Sequence, residues 1–285
     1  MEKLQNELQK NINWEVIRRP NYNKIGEEYI QNDTSLIVRS DNGEKLHNKG
    51  VTDSFQFTTI AQLKEIANIL SSISGFPLVG YDTFQGGKKV IAYLKSDKNM
   101  ICGFPMESYL SIGNGLDGET SLFLGTSNIL LRCANQWGDI KKHQKTKNTK
   151  NHVINRDTML KTFEQYLINR NLVFDNIERF HTIELSKNQI KDLVHKIVLS
   201  PEQIDVIKND KVLHTRTNNI LMEVMNSVEH ETNEIGNTAF GVFNGITHYN
   251  THVQKQTHDV YGNLFGSKAK LYNKTYNVLN KLSYN

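Results

Sequence analysis

Residues Thr59–Lys95, TIAQLKEIANILSSISGFPLVGYDTFQGGKKVIAYLK, decide the fold class. Thr59 followed three positions later by Gln62 is a capping box, which opens a helix by satisfying orphaned N–H groups of its first turn. Ile60, Leu63, Ile66, Ala67 and Leu70 then recur at helical spacing on one face, and the pattern ends near Gly75. After that glycine the period changes. Phe76–Phe84 and Lys88–Lys95 flank Gly86-Gly87, the chemistry of a hairpin turn. A helix running straight into a hairpin predicts an antiparallel, meander-like sheet with one helix packed on it.

The same signals extend outward. Tyr109–Ile112 and Thr120–Leu124 flank Gly113-Asn114-Gly115-Leu116-Asp117-Gly118, expected to be a second hairpin with a longer loop, and Ile129–Cys133 is a further apolar run. Upstream, Leu36-Ile37-Val38 precedes the turn residues Asp41-Asn42-Gly43, and Val51–Phe57 alternates as a strand does. Met1–Asn32 reads as a polar arm holding a short helix and a Pro20-bounded loop. After Asn155 the chain turns helical. Met159, Leu160, Phe163, Tyr166 and Leu167 form one stripe, and Ser186 with Gln189 caps a second helix. Ser200-Pro201-Glu202 opens a third, and Ile220, Leu221, Val224, Met225 and Val228 mark a fourth. Gly236–His252 and Ser267–Leu282 follow as the last helices. The expected fold class is α+β, with an antiparallel meander sheet and a packed helix in the N-terminal half and a helical C-terminal half. The parts are residues 1–33, a polar N-terminal arm; 34–155, strand-rich; and 156–285, helical and expected to pack on the strand-rich part as one compact unit.

The 285 residues are 38% hydrophobic with a formal net charge of +4. That excess is small, but it is clustered: Lys141, Lys142, Lys145, Lys147 and Lys150 lie close together with His143 and His152, and Arg156 follows. Each lysine is able to neutralise a phosphate. The plainer reading is a solvated loop or hairpin arm. Trp137 beside the cluster is placed to stack on bases or to pack in a core, and Arg132, set in an apolar run, needs solvent, a carboxylate or a phosphate. The two cysteines, Cys102 and Cys133, have no CxxC partner, so neither a disulfide framework nor a zinc ribbon is indicated. The start lacks an apolar signal-peptide core and no run approaches a membrane span, so the protein is expected to be soluble and cytoplasmic, in the host cell's cytoplasm if phage-encoded.

Little calls for bond chemistry. No phosphate-cradling GxxxxGK[ST] loop is present, and no paired-acid motif stands out. His248 and His252, spaced i, i+4, share a helix side, a geometry that suits a metal, with His258 or Glu234 as a third ligand. Against this, no glutamate lies between them in the HExxH manner. The expectation is therefore no catalytic residue, no metal and no cofactor. Asn244, Thr247, Tyr249 and His252, unusual on so apolar a helix, are expected to form a structural polar cluster whose buried members hydrogen-bond within the fold.

Three segments together carry a resemblance. Val51-Thr52-Asp53-Ser54-Phe55 precedes the first helix, and Arg132-Cys133-Ala134-Asn135 closes the strand block. Gly236-Asn237-Thr238-Ala239-Phe240-Gly241-Val242-Phe243-Asn244 leads to Thr247, Tyr249 and His252, then Leu264-Phe265-Gly266-Ser267. In this order they resemble the uncharacterised phage/plasmid-like proteins grouped as domain of unknown function 932, over about Leu36 to Leu282. The resemblance implies a phage or plasmid origin and carries no catalytic residue over. The helix–meander–helix order also resembles, in topology alone, the Rad52-like single-strand annealing proteins, which use a curved sheet and a basic groove in a ring oligomer. The expected function is nucleic-acid binding, most concretely single-stranded DNA binding or annealing in recombination or replication. Lys141, Lys142, Lys145, Lys147 and Lys150 would contact phosphate, Arg132 and Arg156 would assist, Trp137 would stack on bases, and the protein would form a homo-oligomer. The alternatives are a metal-dependent nuclease using His248, His252 and nearby acids, and a structural or host-takeover protein that binds another protein.

Overall fold

The computed structural model describes residues 8–9, 11–97, 100–118, 122–130, 135–142, 156–254 and 266–282. The fold is α+β, as the capping and period signals predict. Strands β1 (Val16–Ile25) and β2 (Glu28–Arg39) form a two-stranded antiparallel sheet. Helix α1 (Ile60–Ser74) follows. Then come β3 (Leu78–Phe84), β4 (Lys89–Lys95), β5 (Met100–Ile101), β6 (Phe104–Gly115), β7 (Phe123–Leu130) and β8 (Gln136–Lys142), in the order β3-β4-β6-β7-β8 with β5 paired to β6. The helical half comprises α2 (Arg156–Phe180), α3 (Lys187–Val198), α4 (Pro201–Lys208), α5 (Thr215–Ile235), α6 (Ala239–His248), a π-helical turn (Tyr249–Val253) and α7 (Ser267–Leu282). Among the described residues no helix is long and apolar enough to cross a membrane.

The chain divides into two compact units. The first takes Met1–Asp97, Tyr109–Gly125 and Ile140–Leu167; the second takes Lys98–Ser108, Thr126–Asp139 and Ile168–Asn285. In the first unit α1 begins and ends as its residues dictate. The Thr59 hydroxyl accepts from the Gln62 N–H at 3.1 Å, and Gln62 returns the bond to the Thr59 N–H at 2.9 Å. Gly75 closes the helix at φ 73°, a left-handed conformation open to glycine without Cβ strain. The buried side is Ile60, Leu63, Ile66, Ala67 and Leu70, and it joins a core with Val90, Ala92 and Leu94 of β4 and Leu110 and Ile112 of β6. The β3–β4 hairpin turns where Gly86-Gly87 predicts, with Phe84 opposite Lys89.

Three expectations are corrected. From Val16 onward the polar arm is not a helix and a loop but most of the β1–β2 hairpin. Its Gly26-Glu27 turn closes two strands of polar alternation, and Pro20 is tolerated because the ladder shifts register between Pro20 and Tyr22. Val51–Phe57 is largely irregular: only Val51 bridges, to Ser35. Gly113-Asn114-Gly115 belongs to β6, not to a loop. There a glycine is needed for room, since a Cβ on Gly113 would lie 2.0 Å from the ring of Phe123.

Ser186–Gln189 and Ser200–Gln203 cap α3 and α4 with reciprocal boxes, and Pro201 occupies the first turn of α4. In the second unit the core gathers Phe174, Ile177 and Phe180 of α2, Val194 and Ile197 of α3, Val224 and Val228 of α5, and Phe240, Phe243 and Ile246 of α6. Cys102 is in no disulfide; its thiol donates to the Ile177 carbonyl at 3.5 Å, and Cys133 lies outside the described residues.

Gly113→Ala overpacks the β6–β7 contact and is expected to cost about 1–3 kcal/mol in urea unfolding. Adding Phe123→Leu should recover part of that loss. An unchanged midpoint for the single variant would contradict the packing described.

Candidate functional site: a polar seam on helices α5 and α6

Helix α6 is buried on every side from Ala239 to Thr247, so it has no solvent face for polar residues to use. Two glycines bring it close to its neighbours. A Cβ on Gly245 would sit 2.4 Å from the Val228 Cα of α5, and one on Gly241 would sit 2.9 Å from Thr232 Cγ2. The close approach faces the polar residues of α6 onto α5. Asn244 Nδ2 donates to Glu231 Oε2 at 2.5 Å. Asn135, just before β8, donates from its Nδ2 to Glu231 Oε1 at 3.1 Å and to Asn244 Oδ1 at 3.1 Å. The Thr247 hydroxyl donates to the Asn244 carbonyl at 2.8 Å. Thr251, in the π-helical turn, donates to the Thr247 carbonyl at 2.8 Å and accepts from the Gln136 N–H at 2.9 Å. Asn250 of the same turn reaches α7, donating to the Lys268 carbonyl at 3.3 Å and accepting from the Lys268 ammonium.

Glu231 anchors this seam. It is only 2% exposed, and both its oxygens accept amide N–H bonds. Among the described residues no lysine or arginine pairs with it. Imidazoles surround its outer end. One potential ligand atom from each of His230, Glu231 and His248 lies within 4.8 Å of the others. The His230 and His248 ring centroids are 5.3 Å apart, those of His248 and His252 are 5.0 Å apart, and His230 Nε2 lies 3.6 Å from Glu234 Oε1. Burial first, then the neighbouring His252, holds His248 below the ordinary imidazole range, while Glu231 pulls it back. The His248 Nδ1 is buried with no hydrogen-bond partner among the described residues. Two imidazole nitrogens and one carboxylate form a donor set suited to a first-row divalent metal.

The sequence-predicted residues fall as follows. Asn244 and Thr247 are buried in the seam, Tyr249 is buried at the start of the π-helical turn, and His252 is exposed in that turn. His248 and His252 do share a side, as their spacing predicts. Of the third ligands considered, His258 lies outside the described residues, and Glu234 instead pairs with His230. Trp137, Lys141 and Lys142 lie on β8 and Arg156 opens α2, although their side chains lie outside the description. Arg132, Lys145, Lys147 and Lys150 are outside the described residues altogether. His230 and Glu231 are the residues that sequence reasoning passed over. The available signal was phase: Leu221, Val224 and Val228 lead at helical spacing to Glu231, so a carboxylate occupies a core position of the stripe.

These features define an α+β protein whose helical half carries a buried carboxylate seam bordered by histidines. The chain belongs to the family described as Domain of unknown function (DUF932), whose model matches residues 49–278. No curated protein and no solved structure matches it.

Gly245→Ala would push α6 off α5. It is expected to lower the chemical-denaturation midpoint, with a stability loss of about 1–3 kcal/mol. A midpoint equal to that of the parent protein would contradict the close approach.

Proposed function

We propose that this protein is a nucleic-acid-binding accessory protein of a phage or plasmid, with single-stranded DNA as its partner in recombination or replication. The observation that carries the reading is the outer half of the β1–β2 hairpin. Lys24 pairs with Tyr29 across the ladder and Tyr22 pairs with Gln31, so all four side chains share one face. Tyr22 is 50% exposed and Tyr29 is 69% exposed, and the Lys24 ammonium lies 5.9 Å from the centre of the Tyr29 ring. Ile25 and Glu28 form a pair on the opposite face, which keeps that acid off the cation–aromatic side. Exposed rings interleaved with amide and ammonium groups suit stacked bases and a passing phosphate backbone, and they discriminate little between sequences.

The lysine cluster supports the same reading. Lys141 and Lys142 are the last residues of β8, which ends the strand order of the larger sheet. A run of lysines leaving a sheet edge provides phosphate contacts whose affinity falls with salt. On this reading Lys145, Lys147 and Lys150 also contact phosphate, Arg132 and Arg156 assist, Trp137 stacks on bases, and annealing of complementary strands in a homo-oligomer is the concrete activity. The mechanism is electrostatic capture and base stacking, with no bond made or broken.

Fluorescence anisotropy with labelled single-stranded and duplex oligonucleotides, across a salt series, tests the proposal. Single-stranded DNA should bind more tightly. Tyr29→Ala should weaken binding by about 5- to 150-fold, the equivalent of about 1–3 kcal/mol for one stacked base. Lys141→Gln with Lys142→Gln should flatten the salt dependence by about 0.7 per lysine. Absence of binding at low salt would overturn the proposal.

A further inference from the structure

We propose that His230, Glu231 and His248 bind a divalent transition-metal ion of the zinc class. This inference stands independently of the nucleic-acid reading. It begins with the charge on Glu231. An ionised carboxylate that is 2% exposed carries a heavy desolvation cost unless a positive charge or strong donors compensate it. Two side-chain amides donate to it, and no lysine or arginine among the described residues reaches it. What stands at its outer end is a pair of imidazoles, with one ligand atom from each of the three residues within 4.8 Å of the others.

The surroundings match those of a metal ligand set. Metal-bound carboxylates and histidines are characteristically held by outer hydrogen bonds that fix their orientation. Here Asn135 and Asn244 hold the two oxygens of Glu231. Glu234 lies 3.6 Å from His230 Nε2, one helical turn along α5, a carboxylate placed to orient that ring. His248 contributes a buried Nδ1 that no protein group satisfies among the described residues. Buried polar atoms without partners are exceptional, and a ligand is one of the reasons for them.

The geometry also suggests the type of site. Metal–ligand bonds of about 2.0–2.2 Å require the three donors to draw together slightly. His230, with 55% of its side chain exposed, has room to swing inward. Three protein ligands leave a fourth position for water, the arrangement of an open site rather than a closed structural one. The chain passes directly from His248 into the π-helical turn, a local geometry that recurs at functional sites. His252, whose ring lies beside that of His248, borders the ion without being one of the three ligands.

The test uses the full chain, stripped with chelator and titrated calorimetrically with Zn2+ and Mn2+, followed by the Co2+ absorption spectrum. One equivalent should bind saturably. His230→Ala, an exposed position where folding is not at stake, should abolish that binding, as should Glu231→Gln. Asn135→Ala should weaken it by about 10- to 100-fold. His252→Ala should have a smaller effect than His230→Ala. Far-ultraviolet circular dichroism of each variant separates loss of the ion from loss of the fold, and His230→Ala alone decides the matter if a buried variant does not fold. No saturable binding of any of the three ions, or equal binding by His230→Ala and the parent protein, overturns the proposal.

Discussion

A buried carboxylate that accepts two side-chain amides is the interaction around which the helical half of this protein is organised. Glu231 occupies a position that its stripe on α5 reserves for the core, and it is tolerated there because Asn135 and Asn244 reach both of its oxygens. Each partner comes from a different part of the chain, one beside β8 and one from the middle of α6. A polar group of this kind contributes little net energy when satisfied but is expensive to leave unsatisfied, so it disfavours alternative packings. The glycines of α6 serve the same contact. Without the space at Gly245, the Asn244 amide could not approach α5 closely enough to donate to Glu231.

The same seam continues outward into chemistry. Beyond Glu231 the polar groups change from amides to imidazoles, and exposure rises from the buried carboxylate to the half-buried His248 and the exposed His230. The π-helical turn that ends α6 carries the seam on through Thr251 to Gln136 and through Asn250 to α7. Hydrogen bonds thus tie α5 and α6 to the residue before β8, and the π-helical turn to β8 and α7. In the other unit, charge and aromatic rings gather on a two-stranded arm, whose outer half has no apolar core of its own to fill.

Much of this fold is legible in the residues, because local chemistry and tertiary packing agree. The Thr59 and Ser186 caps form as their partners at the third helical position predict, Ser200-Pro201 opens α4, and Gly86-Gly87 sets the β3–β4 hairpin. Where the sequence misleads, a local signal competes with a partner that only the fold supplies. Gly113 and Gly115 look like a loop, but Gly113 makes room for Phe123 across the ladder. The β1–β2 hairpin alternates polar residues on both faces, so no hydrophobic period announces it. At the candidate site Asn244, Thr247 and His248 of α6, with His252 of the turn that follows, stand out as polar residues in an apolar stretch. Glu231 and His230 do not, because α5 is otherwise an ordinary amphipathic helix with charges throughout its outer face. Their significance depends on which helix lies opposite, and periodicity along one element does not report that.

The most direct measurement is a double-mutant cycle on Glu231 and Asn244, comparing Glu231→Ala, Asn244→Ala and the pair by chemical denaturation. If the carboxylate–amide contact organises the helical half, the two losses will be non-additive, with a coupling energy of about 0.5–3 kcal/mol. Losses that simply add would show that the two side chains act independently, and the seam would then not be what holds α5 to α6.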